Sequence, residues 1–542
     1  MTAPTPRTGT STERYQVVIV GGGPVGMALA LELGRRGIAC AVVERRRSPQ
    51  SIPKGQNLTQ RTLEHFYNWG CVDELRAARV LPPGYPIGGV VAYGDLMTEY
   101  WHAPPGREAV GAYYFQKNER LPQYATEAVM RTRARELPAV ATFFGWSAVG
   151  ISQDDRITRV EIAADGAPGE RRSLEADYVV GCDGARSIVR EQMGIDRAGA
   201  DFDQRMVLAV FRSRALHEGL ARFPERTTYR VLHPDLKGYW RFFGRVDVGE
   251  GWFFHAPVPP DVSTERFDVR GLLEAAAGFP FACELDHVGF WDLRVEVARV
   301  YRNGRAFIAG DACHSHPPYG GYGLNSGIED AVNLGWKLAA VLEGWGSEQL
   351  LDSYSEERRP IFAETGEEVI AAGIERDRAF LERYRPEHDL AEFEHAWAAE
   401  MANADTGPQW YEPHYEGSSI VSGPPGSRCG VHGGHSFAAR PGHHLAPRRL
   451  SDGRDVFEAL GPGFNLLAFG AGDTVVAGFR RDAASLGLPL KVLRDRYDEG
   501  REAYGSKLIL VRPDQYVAWA GDGAAVDAGP LLRRAAGIPT PR

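Results

Sequence analysis

The sequence predicts an α/β protein in three parts: a parallel sheet wrapped by helices, a largely antiparallel second sheet, and a small α/β domain near the C-terminus. Three observations predict it. Tyr15–Val20 (YQVVIV) is a short apolar, β-branched run that flows into Gly21–Gly26 (GGGPVG) and then into a helical pattern, Met27–Gly37. That is the order of a strand, turn and helix in a parallel sheet. Between about 205 and 295 the texture changes to short strand-like runs, Tyr229–Leu232, Gly238–Arg245 and Gly251–His255, with Pro and Asp between them. From about 426 to 542 short strands and helical stretches alternate again.

The first strand, turn and helix are followed by a second strand, Cys40–Glu44, completing a βαβ unit. The pattern is helical over 54–79 and again over Gln123–Leu137. Strands resume around Ile157–Ile162 and Tyr178–Val180. Arg305–Ala309 reads as another buried strand, and a Gly-rich stretch to Gly327 leads into a helix expected over Ile328–Leu342. Residues 353–384 continue helical, and Thr406–Pro425 reads as a linker.

A chain of 542 residues is too long for one hydrophobic core, so two or three domains are expected. The net charge of -9 argues against a nucleic-acid partner, because phosphate binding needs a basic face. The six cysteines (Cys40, Cys71, Cys182, Cys283, Cys313 and Cys429) contain no C-x-x-C pair. Neither a metal site nor a disulfide framework is expected, which fits a reducing cytoplasm. Residues 1–13 have no apolar h-region, and no run of 18 apolar residues occurs, so neither a signal peptide nor a membrane span is expected.

Gly21-x-Gly23-x-x-Gly26 is the first motif with chemistry in it. Gly21 permits a tight turn, Gly23 lets the backbone approach a pyrophosphate, and Gly26 lets the helix pack close to the strand. The helix beginning around Pro24 and Val25 offers free N–H groups to phosphates. Glu44, 18 residues after Gly26, closes the second strand where an acid accepts hydrogen bonds from an adenosine ribose, with Arg45 beside it. The unit is therefore Rossmann-like. Only one such fingerprint occurs, so FAD takes it and a nicotinamide reductant visits transiently.

Two further motifs follow: Gly181–Ser187 (GCDGARS), and Gly310–Asn325 (GDACHSHPPYGGYGLN) leading into IEDAVNLGWKL. An Asp directly after a buried parallel strand sits where ligands bind. Glycines 320, 321 and 323 let backbone N–H groups approach a flat ring. The helix that follows points its positive end at a reduced, anionic flavin.

Together these motifs resemble the single-component (group A) FAD-dependent monooxygenases, in the phenol hydroxylase-like branch with a C-terminal thioredoxin-like domain. The resemblance runs from about 15 to 525. It includes Gln60–Glu64, Gln123 with Glu127 and Ala128, Tyr415–Ser418 and Lys507–Asp522. It implies a para-hydroxybenzoate hydroxylase-type fold. A FAD-binding domain is expected over 14–82, 121–200 and 296–400, and a substrate-binding domain over 83–120 and 201–295. A disordered tail is expected over 1–13, a linker over 401–425, and the thioredoxin-like domain over 426–542, with a scaffold or homodimer-contact role.

The resemblance also implies site residues. Gly21, Gly23, Pro24, Val25, Gly26, Glu44 and Arg45 hold the ADP half of FAD. Gln123 contacts the ribityl or pyrophosphate region, and Asp311 binds a ribityl hydroxyl. Gly321, Gly323, Leu324 and Asn325 meet the flavin edge, the last two through backbone N–H groups. Asp183 serves FAD and the passing NADH or NADPH. Pro317 and Pro318 line the space where a C4a-hydroperoxyflavin transfers oxygen from O2 to a phenolic or aromatic substrate, polyketides included.

One departure stands out. The phenol hydroxylases carry an Asp shortly before R-T-L-E, and here Gln56 stands in its place. An amide cannot take a proton, so His314, His316, Tyr319 and Tyr322 become candidates for proton handling or pocket walls. Tyr239, Trp240, Arg241, Phe253 and Trp291 are candidate cavity residues, although aromatics at strand spacing more often build core. The Arg run over 440–454 reads as a solvated face. Alternatives are a flavoenzyme acting on a non-aromatic molecule by epoxidation, Baeyer–Villiger chemistry or reduction, and a non-catalytic FAD-binding protein.

Overall fold

The structure is a computed structural model that describes residues 12–260, 262, 267–404, 407–523 and 526–539. The tail expected over 1–13 lies outside the described residues except at its end. There Thr12 and Glu13 open the first strand, Thr12–Val20, and pair with Ser173 and Leu174.

The first sheet orders its strands Arg302–Asn303, Ala306–Ile308, Ala167–Gly181, Thr12–Val20, Cys40–Glu44 and Val140–Phe144. The last five run parallel. Its register sets Val20 level with Val43 and Gly181, and Gly181 level with Ile308. Gly21, Glu44, Asp183 and Asp311 therefore leave the sheet at one edge, the carboxyl end where open α/β sheets bind ligands. The helices Pro24–Gly34 and Tyr322–Leu342 pack on it, and Val17–Ile19, Leu29, Leu31 and Leu334 are fully buried in its core.

The second sheet has eight strands, in the order His314–Ser315, Glu284–Ala298, Arg197–Arg212, Gly251–Val258, Trp240–Arg245, Thr228–Leu232, Gly89–Tyr93 and Trp101–His102. It reaches beyond the expected 201–295, and residues 314–315 tie the Gly-rich loop to its edge. The strands Gly89–Tyr93 and Trp101–His102 lie at its edge, whereas Glu119–Arg120 pairs with Asn57–Leu58. The segment 54–59 is thus a loop and a short strand, and the helix begins at Gln60. One face of the sheet, with Phe211, Tyr229, Phe243, Trp252 and Phe254, packs on the helix Val269–Ala277. The opposite face, with Met206, Trp240 and Leu293, packs on Ile374, Phe380, Phe393 and Trp397.

The C-terminal sheet runs Leu490–Asp495, Phe464–Phe469, Leu508–Val511, Val517–Gly521, with its first pair parallel and the rest antiparallel. Phe464 and Leu466 share a core with Trp336 and Trp345 of the first domain. The expected linker is structured: Tyr411–His414 pairs with Gly430–His432, Tyr415 is fully buried, and the helix Leu390–Ala404 crosses residue 400. The Arg run is not purely solvated either. Arg440 pairs with Glu412, and Arg448 lies 3.6 Å from the centre of the Phe437 ring. The helix expected over 328–342 starts six residues earlier, at Tyr322, because Gly321 takes a left-handed conformation (φ 69°) that ends the preceding turn.

Candidate active site

The Gly21–Gly26 turn is closed by sterics on two sides and open on the third. Gly21 sits at φ 105°, where a Cβ would lie 2.3 Å from the Cys182 carbonyl oxygen. A Cβ on Gly26 would lie 1.9 Å from the Gly21 oxygen. A Cβ on Gly23 would meet nothing within 4 Å. Gly23 therefore faces space at the start of the Pro24–Gly34 helix, whose first N–H groups have no intrahelical partner. A pyrophosphate fits that cradle. Val25 packs against both Gly310 and Gly327, where added Cβ atoms would come within 2.7 Å of its side chain.

Glu44 is held at its strand end by Gly22 N–H and Arg46 N–H, each 2.8 Å from a carboxylate oxygen. Arg45 is exposed beside a cavity of about 490 Å³ that Arg46, Arg47 and Ser48 also line. Gln123 Oε1 accepts from Gly55 N–H at 3.3 Å, and its Nε2 donates to Glu127 at 2.8 Å. Asp183 Oδ2 accepts from Ile188 N–H at 2.7 Å, while its Oδ1 is buried without a partner. Burial raises the Asp183 pKa. Asp311 is exposed at the sheet edge.

The Gly-rich loop joins the two sheets. Because the helix starts at Tyr322, the N–H groups of Gly321 to Leu324 are its free first donors, and Asn325 lies just inside. The Asn325 side chain has a second task. Its Oδ1 accepts from Thr59 N–H (2.9 Å) and Thr62 Oγ1 (2.7 Å), and its Nδ2 donates to the carbonyls of Asn57 (2.9 Å) and Gly321 (2.8 Å). Pro317 is buried and Pro318 exposed.

His314 is buried, hydrogen-bonded through Nε2 to Asp330 at 2.7 Å and stacked 3.6 Å from Phe362. Despite burial, His314 and Arg358 hold the Asp330 carboxyl below its usual range. His314 is thus committed to the scaffold. Burial pulls the His316 pKa down to about 4; its Nδ1 meets the Pro317 carbonyl, and its Nε2 is buried without a partner. Tyr319 donates to Asp377 at 3.3 Å and stands edge-on to Trp240 at 4.3 Å; burial pushes its pKa up to about 12. Tyr322 packs 4.7 Å from Tyr411 under Arg107. Both tyrosine rings pack against other aromatic side chains.

Gln56 is 4% exposed, and neither its Nε2 nor its Oε1 has a partner among the described residues. The strand Gly251–Val258 turns Phe253 and His255 away from the Trp252 and Phe254 core. His255 packs on Phe253 and Trp291, its Nδ1 unpaired, and burial lowers its pKa to about 4. Tyr239, Trp240 and Phe253 are buried; Arg241 and Trp291 are partly so. Arg120, His255, Asn57, Arg230 and Asp377 escaped sequence reasoning. Arg120 lies three residues before Gln123, but no local pattern shows what a long-range contact will surround.

Among the described residues, His414, Glu416 and His443 bring potential ligand atoms within 4.8 Å. The two imidazoles stack face to face at 13°, and His443 spends both nitrogens on Glu412 and Glu416. A metal bonds in the plane of each imidazole, so this arrangement is read as a hydrogen-bonded clasp.

Comparison with known proteins places this geometry in a family. Residues 14–368 match the FAD binding domain, and residues 438–539 match the C-terminal domain of aromatic-ring hydroxylases. The chain is 32% identical over 541 residues to 4-methyl-5-nitrocatechol 5-monooxygenase of Burkholderia sp, covering 94% of this chain and 95% of that protein. It is 28% identical over 564 residues to tetracenomycin A2 monooxygenase-dioxygenase of Streptomyces glaucescens, covering 97% and 96%. It superposes with a TM-score of 0.79 on aklavinone-11 hydroxylase in complex with FAD and aklavinone, at 28% identity, covering 96% and 99%. The chain belongs to the single-component FAD-dependent monooxygenases that carry an aromatic-ring hydroxylase C-terminal domain.

Proposed function

We propose that this enzyme uses FAD, NADH or NADPH, and O2 to hydroxylate a phenolic or polycyclic aromatic substrate of the polyketide type. The observation that carries the reading is the seam between the Gly-rich loop and the inner face of the second sheet. It joins Tyr319 to Trp240 at 4.3 Å and leaves the Gln56 amide buried and unpaired. Substrates named for the relatives support aromatic oxygenation over non-aromatic tailoring or a non-catalytic FAD-binding role.

The residues present fit FAD. Gly21, Gly23, Pro24, Val25 and Gly26 would seat its pyrophosphate, Glu44 and Arg45 its adenosine end, Gln123 its ribityl or pyrophosphate region and Asp311 a ribityl hydroxyl, while Asp183 would serve both FAD and the passing nicotinamide. Gly321, Gly323, Leu324 and Asn325 would meet the ring edge. Bound FAD supplies O2 activation with electrons from the nicotinamide. The protein's share is binding, orientation and exclusion of water. The helix Tyr322–Leu342 would direct positive potential toward the bound ring, and Pro317, Pro318, Trp240, Phe253 and Trp291 would help to exclude water from it. A cytoplasmic location is supported by six free cysteines, and a homodimer by the family resemblance.

The test is purification with FAD, then NAD(P)H oxidation, O2 uptake and 18O incorporation across phenols and aromatic polyketides. Label in a hydroxylated product supports the reading. Oxidation without labelled product from any of them sinks it.

A further inference from the structure

Arg120 is a buried arginine to which the protein gives no anion. It is 2% exposed. Its guanidinium donates to two neutral oxygens, Asn57 Oδ1 at 2.6 Å and the Arg245 carbonyl at 3.0 Å, and Nε has no partner. No carboxylate pairs with it among the described residues, and burial alone pulls its pKa down to about 9. Burying a charge without a countercharge is costly. The cost is offset when a ligand brings the missing charge.

Its place indicates which ligand. Asn57, which Arg120 grips, also accepts from Asn325 in the Gly-rich loop. The guanidinium lies 5.8 Å from the centre of the Phe253 ring, and Phe253 is 5.6 Å from His255 on the same strand face. Arg120 therefore stands in the seam between loop and sheet, linked through Phe253 to His255, whose Nδ1 is unpaired; Gln56 precedes Asn57 in the chain and its carbonyl accepts from Leu121 N–H at 3.0 Å, so its unpaired amide belongs to the segment beside Arg120. The other charged groups are engaged elsewhere. The Arg245 guanidinium turns to Tyr229 and His217, Arg230 pairs with Asp377, and Lys54 and Asp311 interact with each other beside the loop. No protein charge shifts His255 either; burial alone lowers it.

We propose that Arg120 is the countercharge to the ionised substrate oxygen, a phenolate or enolate, with Gln56 and His255 as hydrogen-bond donors to it. The proposal rests on the aromatic-substrate reading above. On binding, the substrate O–H bond breaks, its electron pair stays on oxygen, and the proton leaves to bulk water. The oxyanion enriches its ring in electrons before oxygen transfer. Gln56 then has a reason to replace a carboxylate: a negative side chain there would repel the bound anion, whereas an amide N–H donates to it.

The probe is 4-methyl-5-nitrocatechol, whose ionised form has its own visible band. It is titrated into FAD-loaded enzyme between about pH 5 and 9. The bound probe is expected to ionise at least about one pH unit below the free probe, roughly tenfold tighter binding of the anion. Arg120→Met should return the ionisation to that of the free probe. Arg120→Lys, which keeps the charge, should preserve the shift. Gln56→Glu, which leaves Arg120 intact, should weaken binding of the anion about tenfold. A probe bound without a shift, or a shift that survives Arg120→Met, overturns the proposal and leaves the aromatic site standing. If neither this probe nor any phenol of the panel binds, the aromatic-substrate reading falls and the proposal with it.

Discussion

Arg512 grips Glu357 with both Nη atoms, at 2.6 and 2.9 Å, across 155 residues of sequence and with no solvent exposure on either side chain. Glu357 also accepts from Lys337, Asn333 and Ser418, each at 2.7 Å. Arg512 holds Asp514, which accepts from Trp336 Nε1 at 3.0 Å. The C-terminal domain is thus joined to the helices beneath the flavin loop by a buried ion network. Glu357→Gln leaves Lys337 and Arg512 short of negative charge, and denaturant unfolding should show a loss of about 3–5 kcal/mol. Stability within about 0.5 kcal/mol of wild type would show that the network is not needed.

The same core predicts the result of truncation. Trp336 and Trp345 bury against Phe464 and Leu466. A chain ending at residue 425 exposes both tryptophans and leaves Glu357 without Arg512. It should aggregate, as judged by size-exclusion chromatography, although it keeps every residue proposed above to hold FAD. A soluble monomer that still binds FAD would refute this.

The nucleotide turn separates two kinds of glycine. Gly26→Ala drives a methyl into the Gly21 carbonyl, whereas Gly23→Ala meets no protein atom. Apo Gly26→Ala should melt at a lower temperature than wild type. Apo Gly23→Ala should melt with wild type and yet lose at least about tenfold in FAD affinity, because its methyl occupies the phosphate space. Flavin fluorescence titration checks both. Full FAD affinity in Gly23→Ala would mean that the phosphates lie elsewhere.

Much of this was legible in the sequence. The fingerprint and Glu44 needed only local spacing, because strand, turn and helix are contiguous. The start of the Tyr322 helix was misplaced because glycines at 320, 321 and 323 read as loop, while only Gly320 and Gly321 take left-handed φ. Asn325 was read for its backbone, and its side chain turned out to bind residues more than 250 positions away. Arg120 and His255 matter through partners on other strands, which no window of sequence contains.

Acid should loosen the protein over a definable range. Burial opposes ionisation of Glu32, but Arg35 and Arg36, with a hydrogen bond from Trp69, lower its pKa to about 2. Glu412 is likewise lowered to about 2, against burial, by His443 and Arg440. A carboxylate depressed in the folded state stabilises it fully above its unfolded pKa, here about 4.5. That stability is lost as pH falls toward 2. Each group contributes about 3 kcal/mol on this reasoning. Melting temperature should hold from pH 7 to about 5 and fall steeply below about 4.5. Glu32→Gln should be less stable at pH 7 and show a shallower fall; an unchanged profile would remove Glu32 from the account.

Asn325 ties the segment 57–62 to the helix proposed above to meet the flavin. Three of its side-chain hydrogen bonds fix the strand Asn57–Leu58 and the helix Gln60–Asn68 against the helix Tyr322–Leu342, and the fourth caps that helix at Gly321. Asn325→Ala removes all four and leaves buried donors unmet, so a stability loss of about 1–3 kcal/mol and weaker FAD binding are expected. Asn325→Asp retains the two accepting bonds and should fold better than Asn325→Ala. It also sets a negative charge in the first turn of that helix, where the reduced flavin carries its own. Its bound flavin should be harder to reduce, with a midpoint potential more negative than wild type by redox titration. A potential equal to wild type in Asn325→Asp would mean that this helix end does not face the flavin.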